Sequence, residues 1–406
     1  MRRWFAIPLW KRVLAGLALG VLLGALWPAA APSIMIFGDL FVRGIRMLVA
    51  PIVLVTIAAG ITSLGDPARL GPLGIRTVGL FAMTTAVAVS IGMCIATLIR
   101  PGEGAPIAGV VAKSLGTPVT LYDQIVGIVP LNIVEALANG DMLALIFVAI
   151  LTGVATVLSG EQGRPFANLL QAMSAVLLRI VGIVMELTPF GVLALIANAV
   201  ATGGASVFVN IGWLALAVVV GSAMQILVVH ALIIRVLARL PFLPFLRGII
   251  DPLVVAFSTA SSSATLPVAM DAADRKLGID RSIYSTVLPL GASIGKDGTA
   301  MYVGLLSIFC LQALDVPMEP ATYGVVLVTG ALAAFGTAPV PSASLFMLAA
   351  VMSAVGVSPE QTALVVGFVL PFDRLLDMTR TVPSASANLA VAMAVARSEG
   401  AIGEAR

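Results

Sequence analysis

A chain of 406 residues with 60% apolar and only 11% charged side chains, and a mean hydropathy of +1.09, lacks the material for a water-facing surface. An ordinary soluble domain is about a quarter charged, so most of this surface must face lipid, which sets aside soluble enzymes and scaffolds. The net charge of +3 is scattered over segment ends, giving no support to a nucleic-acid-binding face, and Cys94 and Cys310 lie in apolar runs where a thiol acts as a small hydrophobe rather than a disulfide or metal ligand.

In chain order, apolar runs of about the 20 residues that a spanning helix needs recur at roughly 13–28, 42–64, 76–99, 128–158, 167–200 and 205–238. The first run ends at Pro28 without a small-residue cleavage site and reads as a retained helix. After residue 238 the pattern changes. Residues 248–270, 283–312, 321–356 and 361–396 are apolar but broken by Gly, Ser, Thr and Pro. Unwound backbone at membrane depth is tolerated only where it lines a cavity or is buried in protein, so these breaks mark the expected binding region.

Lys and Arg set the expected orientation. Arg2, Arg3, Lys11 and Arg12 before the first span, Arg69 and Arg76 after the second, Arg164 after the fourth, and Arg235, Arg239 and Arg247 after the sixth place the amino terminus in the cytoplasm. Arg100 and Lys113 are the sparse basic residues of the opposite side. A full span at 248–270 would send Arg275, Lys276 and Arg281 to that side, against the rule, so a re-entrant hairpin with Ser261, Ser262 and Ser263 near its tip is expected. A second hairpin over 321–356, turning at Pro339, Val340 and Pro341 and approaching from the other face, completes an inverted repeat. The expected fold is all-α integral membrane, with eight transmembrane helices plus two re-entrant helical hairpins.

A charge in mid-span costs about 2.5–3.5 kcal/mol on insertion scales, so each one is a functional candidate. Lys296 and Asp297 fall in the glycine-rich break of the seventh span, and Asp373, Asp377 and Arg380 share one face of the last, with Arg374 pointing elsewhere. A structural ion-pair network is the alternative reading of this cluster. Half-helix amino termini and the hydroxyls of Ser261, Ser262 and Ser263 suit one carboxylate, Arg380 a second, and Asp377 an ammonium, which together describe an acidic amino acid. His230 reads as a buried structural histidine before a proton relay, and Glu186 as a helix-kink contact. No nucleophile elbow surrounds the serine run, which weakens an intramembrane hydrolase; an anion channel is the other minor rival.

The second span MLVAPIVLVTIAAGITSLGD, the stretches IVPLNIVEALANGDMLALIF and ELTPFGVLALIA, the tip SSSATLPVAM (261–270), KDGT (296–299), GTAPVPSAS (336–344) and DMTRT (377–381) resemble, in order, those of the dicarboxylate/amino acid:cation symporters, the glutamate-transporter homologues. That resemblance covers almost the whole chain. It implies a homotrimer in a bacterial inner membrane, with a scaffold at about 13–75 and 128–200. An elevator-like transport domain would take about 76–100 and 205–398, with hairpins at about 248–275 and 321–356. It implies a substrate held by backbone around Ser262 and Val340, with Asp377 on its amino group, Arg380 on its side-chain carboxylate, and Thr299 and Thr381 adding hydroxyls.

The departures concern the coupling ion. Gly295-Lys296-Asp297-Gly298-Thr299 stands where sodium-coupled relatives have Asn-Met-Asp-Gly-Thr, and Ser384 and Asn388 replace an asparagine and an aspartate, so one sodium site has lost three side-chain ligands. Another keeps Asp297, Thr84 and Thr85 but has Phe81 for a tyrosine. An ammonium repels a cation, so Lys296 is expected to stand in for sodium by pairing with Asp297. The expected function is uptake of glutamate or aspartate coupled to H+ rather than Na+, with Lys296, Asp297 and Asp373 as candidate proton carriers and no cofactor. A sodium-coupled dicarboxylate or amino acid symporter and an uncoupled exchanger are the alternatives.

Overall fold

The structure, a computed structural model, describes residues 9–63, 67–105, 126, 129–139, 142–204, 206–335, 337 and 343–403. Among them the chain is helical apart from one isolated bridge between Ile279 and Ile402. Four helices are long and apolar enough to cross a membrane: Leu73–Ile99, Gly160–Met185, Val207–Leu237 and Arg281–Ala313. Two bent pairs, turning by 115° at Trp27 and by 51° at Ile249, bring that number to six.

The amino-terminal part comprises α1 (Leu9–Leu26) and α2 (Ala31–Ser63), then α3 (Pro67–Ile99), α4 (Ile133–Asn139), α5 (Met142–Leu158), α6 (Arg164–Met185) and α7 (Thr188–Gly203). The run expected as one span at 167–200 is two helices. Thr188 and Pro189 begin α7, the Thr188 hydroxyl donates 2.6 Å to the Met185 carbonyl, and Pro189 has no N–H to continue α6. Glu186 at this corner takes an ion pair from Arg12 at 2.6 Å. Arg12, read from sequence as a cytoplasmic flank of the first span, instead lies buried inside α1.

The helices α1, α2, α5, α6 and α7 pack chiefly on one another. The α1–α7 contact is backbone to backbone. A Cβ at Gly16, Gly20 or Gly24 would meet the carbonyl oxygens of Pro189, Leu193 and Ala197 at 2.3, 2.7 and 2.5 Å, so a stripe of small residues every fourth position lets the helices touch without intervening side chains.

A second group forms around two buried helices, α13 (Asp297–Ala313) and α16 (Pro359–Ser398). It contains α3, α8 (Ser206–Met224, continued by π-helical stretches Gln225–His230 and Ile233–Leu237), α9 (Phe242–Gly248), α10 (Ile250–Thr259), α11 (Ser262–Asp271), α12 (Arg281–Ile294), α14 (Pro320–Phe335) and α15 (Ala343–Ala354). Every residue of α13 from Asp297 to Gln312 is buried. Gly92 of α3 makes room for the Met301 carbonyl, which a Cβ there would meet at 1.9 Å. The groups meet where α16 touches α7 and α15 touches α5.

Two consecutive helix pairs fold back on themselves within this group: α10 on α11 and α14 on α15. The first pair turns through only Ala260, left-handed at φ 52°, ψ 40°, and Ser261, extended at φ −144°, ψ 117°. A left-handed non-glycine residue costs roughly 1–2 kcal/mol, so this turn stores strain at its tip. The turn between α14 and α15, which contains Val340, lies outside the described residues apart from Thr337.

Candidate functional site

The site is built on the break between α12 and α13. Gly295 has φ −78° and ψ 73°, and Lys296 N donates to Ile294 O at 3.0 Å, the geometry of an inverse γ-turn. That turn ends one helix and starts the next at Asp297, leaving a half-helix amino terminus in the protein interior. A Cβ at Gly298 would lie 1.6 Å from the Arg380 carbonyl, so only glycine lets α13 begin this close to α16. Gly298 N donates to Ser384 Oγ at 3.0 Å, fastening the two helices.

The structure brings together most of the side chains expected from sequence. Arg380 is 2% exposed. Its Nη2 lies 2.7 Å from Asp377 Oδ1, its Nη1 donates to Thr299 Oγ1 at 3.1 Å, and its guanidinium sits 4.9 Å over the Tyr302 ring. Nη2 approaches Asp377 as an ion pair without an aligned N–H bond, and neither it nor Nε has a hydrogen-bond partner among the described residues. The Nε donor of a buried guanidinium is therefore available to a carboxylate. Thr381 Oγ1 donates to the Asp377 carbonyl at 2.7 Å, and Asp373 accepts from Tyr302 at 3.0 Å.

Arg374 is not turned away from this cluster. Its Nη2 donates to Thr259 O at 3.4 Å and its Nη1 lies 4.0 Å from Asp377, so it links the α10–α11 tip to α16. At that tip Ser262 is buried, Ser263 is exposed, and Ser261 caps α11 by accepting from Ala264 N at 3.3 Å. The three hydroxyls therefore diverge. What α11 offers inward is its amino terminus, where the partial positive charge of unpaired N–H groups favours an anion.

Lys296 departs from expectation. It is 3% exposed, yet among the described residues it makes no ion pair with Asp297. Lys296 precedes the helix in a non-helical conformation, φ −111°, ψ 44°, so its side chain does not share the direction of Asp297. Asp297 turns toward α3 and α8. Its Oδ1 accepts from Thr84 Oγ1 at 2.9 Å, and its Oδ2 meets Gln225 Nε2 at 3.1 Å and His230 Nε2 at 3.3 Å. His230 Nδ1 reaches Ser386 Oγ at 2.9 Å. Thr85 is buried beside this cluster, with no hydroxyl partner among the described residues.

Gln225, Ser386 and Tyr302 carried no sequence signal, and His230 was read as structural. Residues five apart on a regular α-helix diverge by about 140°. The π-helical stretch from Gln225 to His230, with its wider i→i+5 turn, brings both onto the face that meets Asp297.

Comparison with known proteins follows the same lines. The sodium:dicarboxylate symporter family matches residues 9–398. This chain belongs to that family. Among relatives, it is similar to a proton/sodium-glutamate symport protein of Bacillus caldotenax, at 31% identity over 97% of this chain and 95% of that one. A proton/glutamate-aspartate symporter of Bacillus subtilis is 32% identical, over 91% and 90% of the two chains. A C4-dicarboxylate transport protein of Anaeromyxobacter sp. (strain K) is 31% identical, over 98% and 91%. As a symporter-family chain it is a multi-pass membrane protein, and the broken helix, the α10–α11 tip and the acidic-basic face of α16 lie together in its interior.

Proposed function

We propose that this chain is a secondary active transporter that carries glutamate or aspartate inward with protons and with weak or no dependence on sodium. The observation that carries the reading is Arg380, buried, with its Nε donor unpartnered and its Nη2 2.7 Å from Asp377. A guanidinium presents a fixed fork to a carboxylate, and the adjacent acid suits the ammonium of the same ligand. A C4-dicarboxylate has no ammonium to set against Asp377, so the pair favours an acidic amino acid. The α-carboxylate would meet the α11 amino terminus near Ser261 and Ser262, with backbone near Val340 closing the other side and Thr299, Thr381 and Ser384 lining the space.

The packing of the helices supports a division of labour. α1, α2, α5, α6 and α7 would form a scaffold that assembles as a homotrimer, and α3 with α8 to α16 a transport domain that moves against it. The two folded-back helix pairs would be re-entrant hairpins within an eight-span, elevator-type fold. The amino terminus would be cytoplasmic and the membrane a bacterial inner membrane. Lys296, Asp297 and Asp373 are the candidate proton carriers.

Competition for radiolabelled aspartate uptake into proteoliposomes tests the substrate. Unlabelled glutamate and aspartate should compete and succinate should not; strong competition by succinate would favour the dicarboxylate reading.

A further inference from the structure

Discontinuous membrane helices hold coupling cations on the carbonyls of their half-helix carboxyl ends. In this chain that position, the end of α12, is filled by the protein. With its amide turned as its hydrogen-bonding surroundings require, Asn388 donates from Nδ2 to the carbonyl oxygens of both Gly291 and Gly295 at 3.1 Å. One neutral amide thus sets N–H donors before the Gly295 carbonyl and before the second lone pair of the Gly291 carbonyl, which also accepts from Gly295 N at 2.8 Å.

The surroundings are fitted to that amide. A Cβ at Gly291 or Gly295 would come within 2.6 and 2.2 Å of its outer atom, so both glycines leave the space it fills. Asn388 is 6% exposed and borders a cavity of about 10 Å³ shared with Ser262, Thr265 and Ala385, no larger than one water. Lys296 and Arg380, both buried, already place basic side chains beside the break, which disfavours a further cation there.

We propose that Asn388 is the residue that sets coupling-ion specificity. Its amide holds the position a monovalent cation would take at the end of α12, so sodium neither binds there nor is needed to order the break. Asn388→Asp reverses this. A carboxylate facing two carbonyls repels both and adds one buried negative charge, and a hard cation with oxygen ligands relieves both faults. The inference deepens the reading of the chain as a sodium-independent carrier. Its test involves no substrate, so failure of the proposed substrate would not disturb it.

The experiment is thermal unfolding of the detergent-solubilised full chain titrated with NaCl against choline chloride, together with equilibrium binding of radioactive sodium. The wild type should show no sodium-specific stabilisation and no saturable binding. Asn388→Asp should gain both, with sodium affinity raised about tenfold or more, since an uncompensated buried carboxylate costs several kcal/mol. If that variant fails to fold with or without sodium, Asn388→Ser, which removes the N–H donors and leaves a hydroxyl oxygen, decides the matter by the same gain. Saturable sodium binding by the wild type, or no gain in any variant that folds, overturns the proposal.

Discussion

Arg380 was legible from spacing alone, and Lys296 was not. The place of Arg380 on one face with Asp373 and Asp377 followed from helical spacing, and the structure keeps Asp377 beside it at 2.7 Å. Arg380→Cys should weaken uptake of acidic amino acids by about thirtyfold or more, because truncating one partner of a buried charge pair costs roughly 2–5 kcal/mol, and should shift preference toward neutral amino acids. Uptake assays with glutamate and with serine measure that change, and unaltered selectivity would remove Arg380 from the substrate site. Gly298→Ala should abolish transport while the chain still reaches the membrane, since its Cβ would be driven into the Arg380 carbonyl. Lys296 was misplaced for a physical reason. Adjacency in sequence does not make neighbours at a helix start, so Asp297 turns to Thr84, Gln225 and His230 rather than to the lysine. Asp297→Asn should therefore disturb the contact of α13 with α3 and α8 and lower the unfolding temperature in detergent.

At the scale of elements, the breaks were readable and the bends were not. Gly295 and the serine run at 261–263 each announced themselves by residue type, and each marks a helix end. Hydropathy alone joined residues 167–200 into one span because Glu186 and Thr188 interrupt the apolar run too briefly to register, although the chain between Met185 and Thr188 separates α6 from α7. The π-helical stretch of α8 left no mark in composition, which is why His230 looked like an isolated core residue. Helix capping offers a test of the account of α16. Ser358 and Gln361 form a reciprocal capping box at 3.2 and 3.3 Å, and Ser358→Ala should destabilise the start of α16 by about 1 kcal/mol, visible as faster hydrogen exchange there. The α1–α7 contact should be still less tolerant. Gly20→Leu must separate helices now close enough that a Cβ would meet Leu193 O at 2.7 Å, and a markedly lower unfolding temperature is expected.

On the scale of the whole molecule, composition gave the membrane and the order of apolar runs gave most of the helices, but not their partners. That α13 and α16 are the buried centre of one group of helices, and that α1 packs on α7, depend on contacts between residues far apart in the chain. No local pattern encodes them. The central claim concerns the ion that drives this assembly. Asp297 is met by protein donors on both oxygens, and the carbonyls of Gly291 and Gly295 are met by Asn388, the arrangement on which the proposed sodium independence rests. The most direct measurement is aspartate and glutamate uptake into proteoliposomes under an inward proton gradient or an inward sodium gradient, each imposed alone. The account predicts concentrative uptake with the proton gradient in sodium-free buffer and none above background with sodium alone. Uptake that requires sodium and ignores the proton gradient would contradict it.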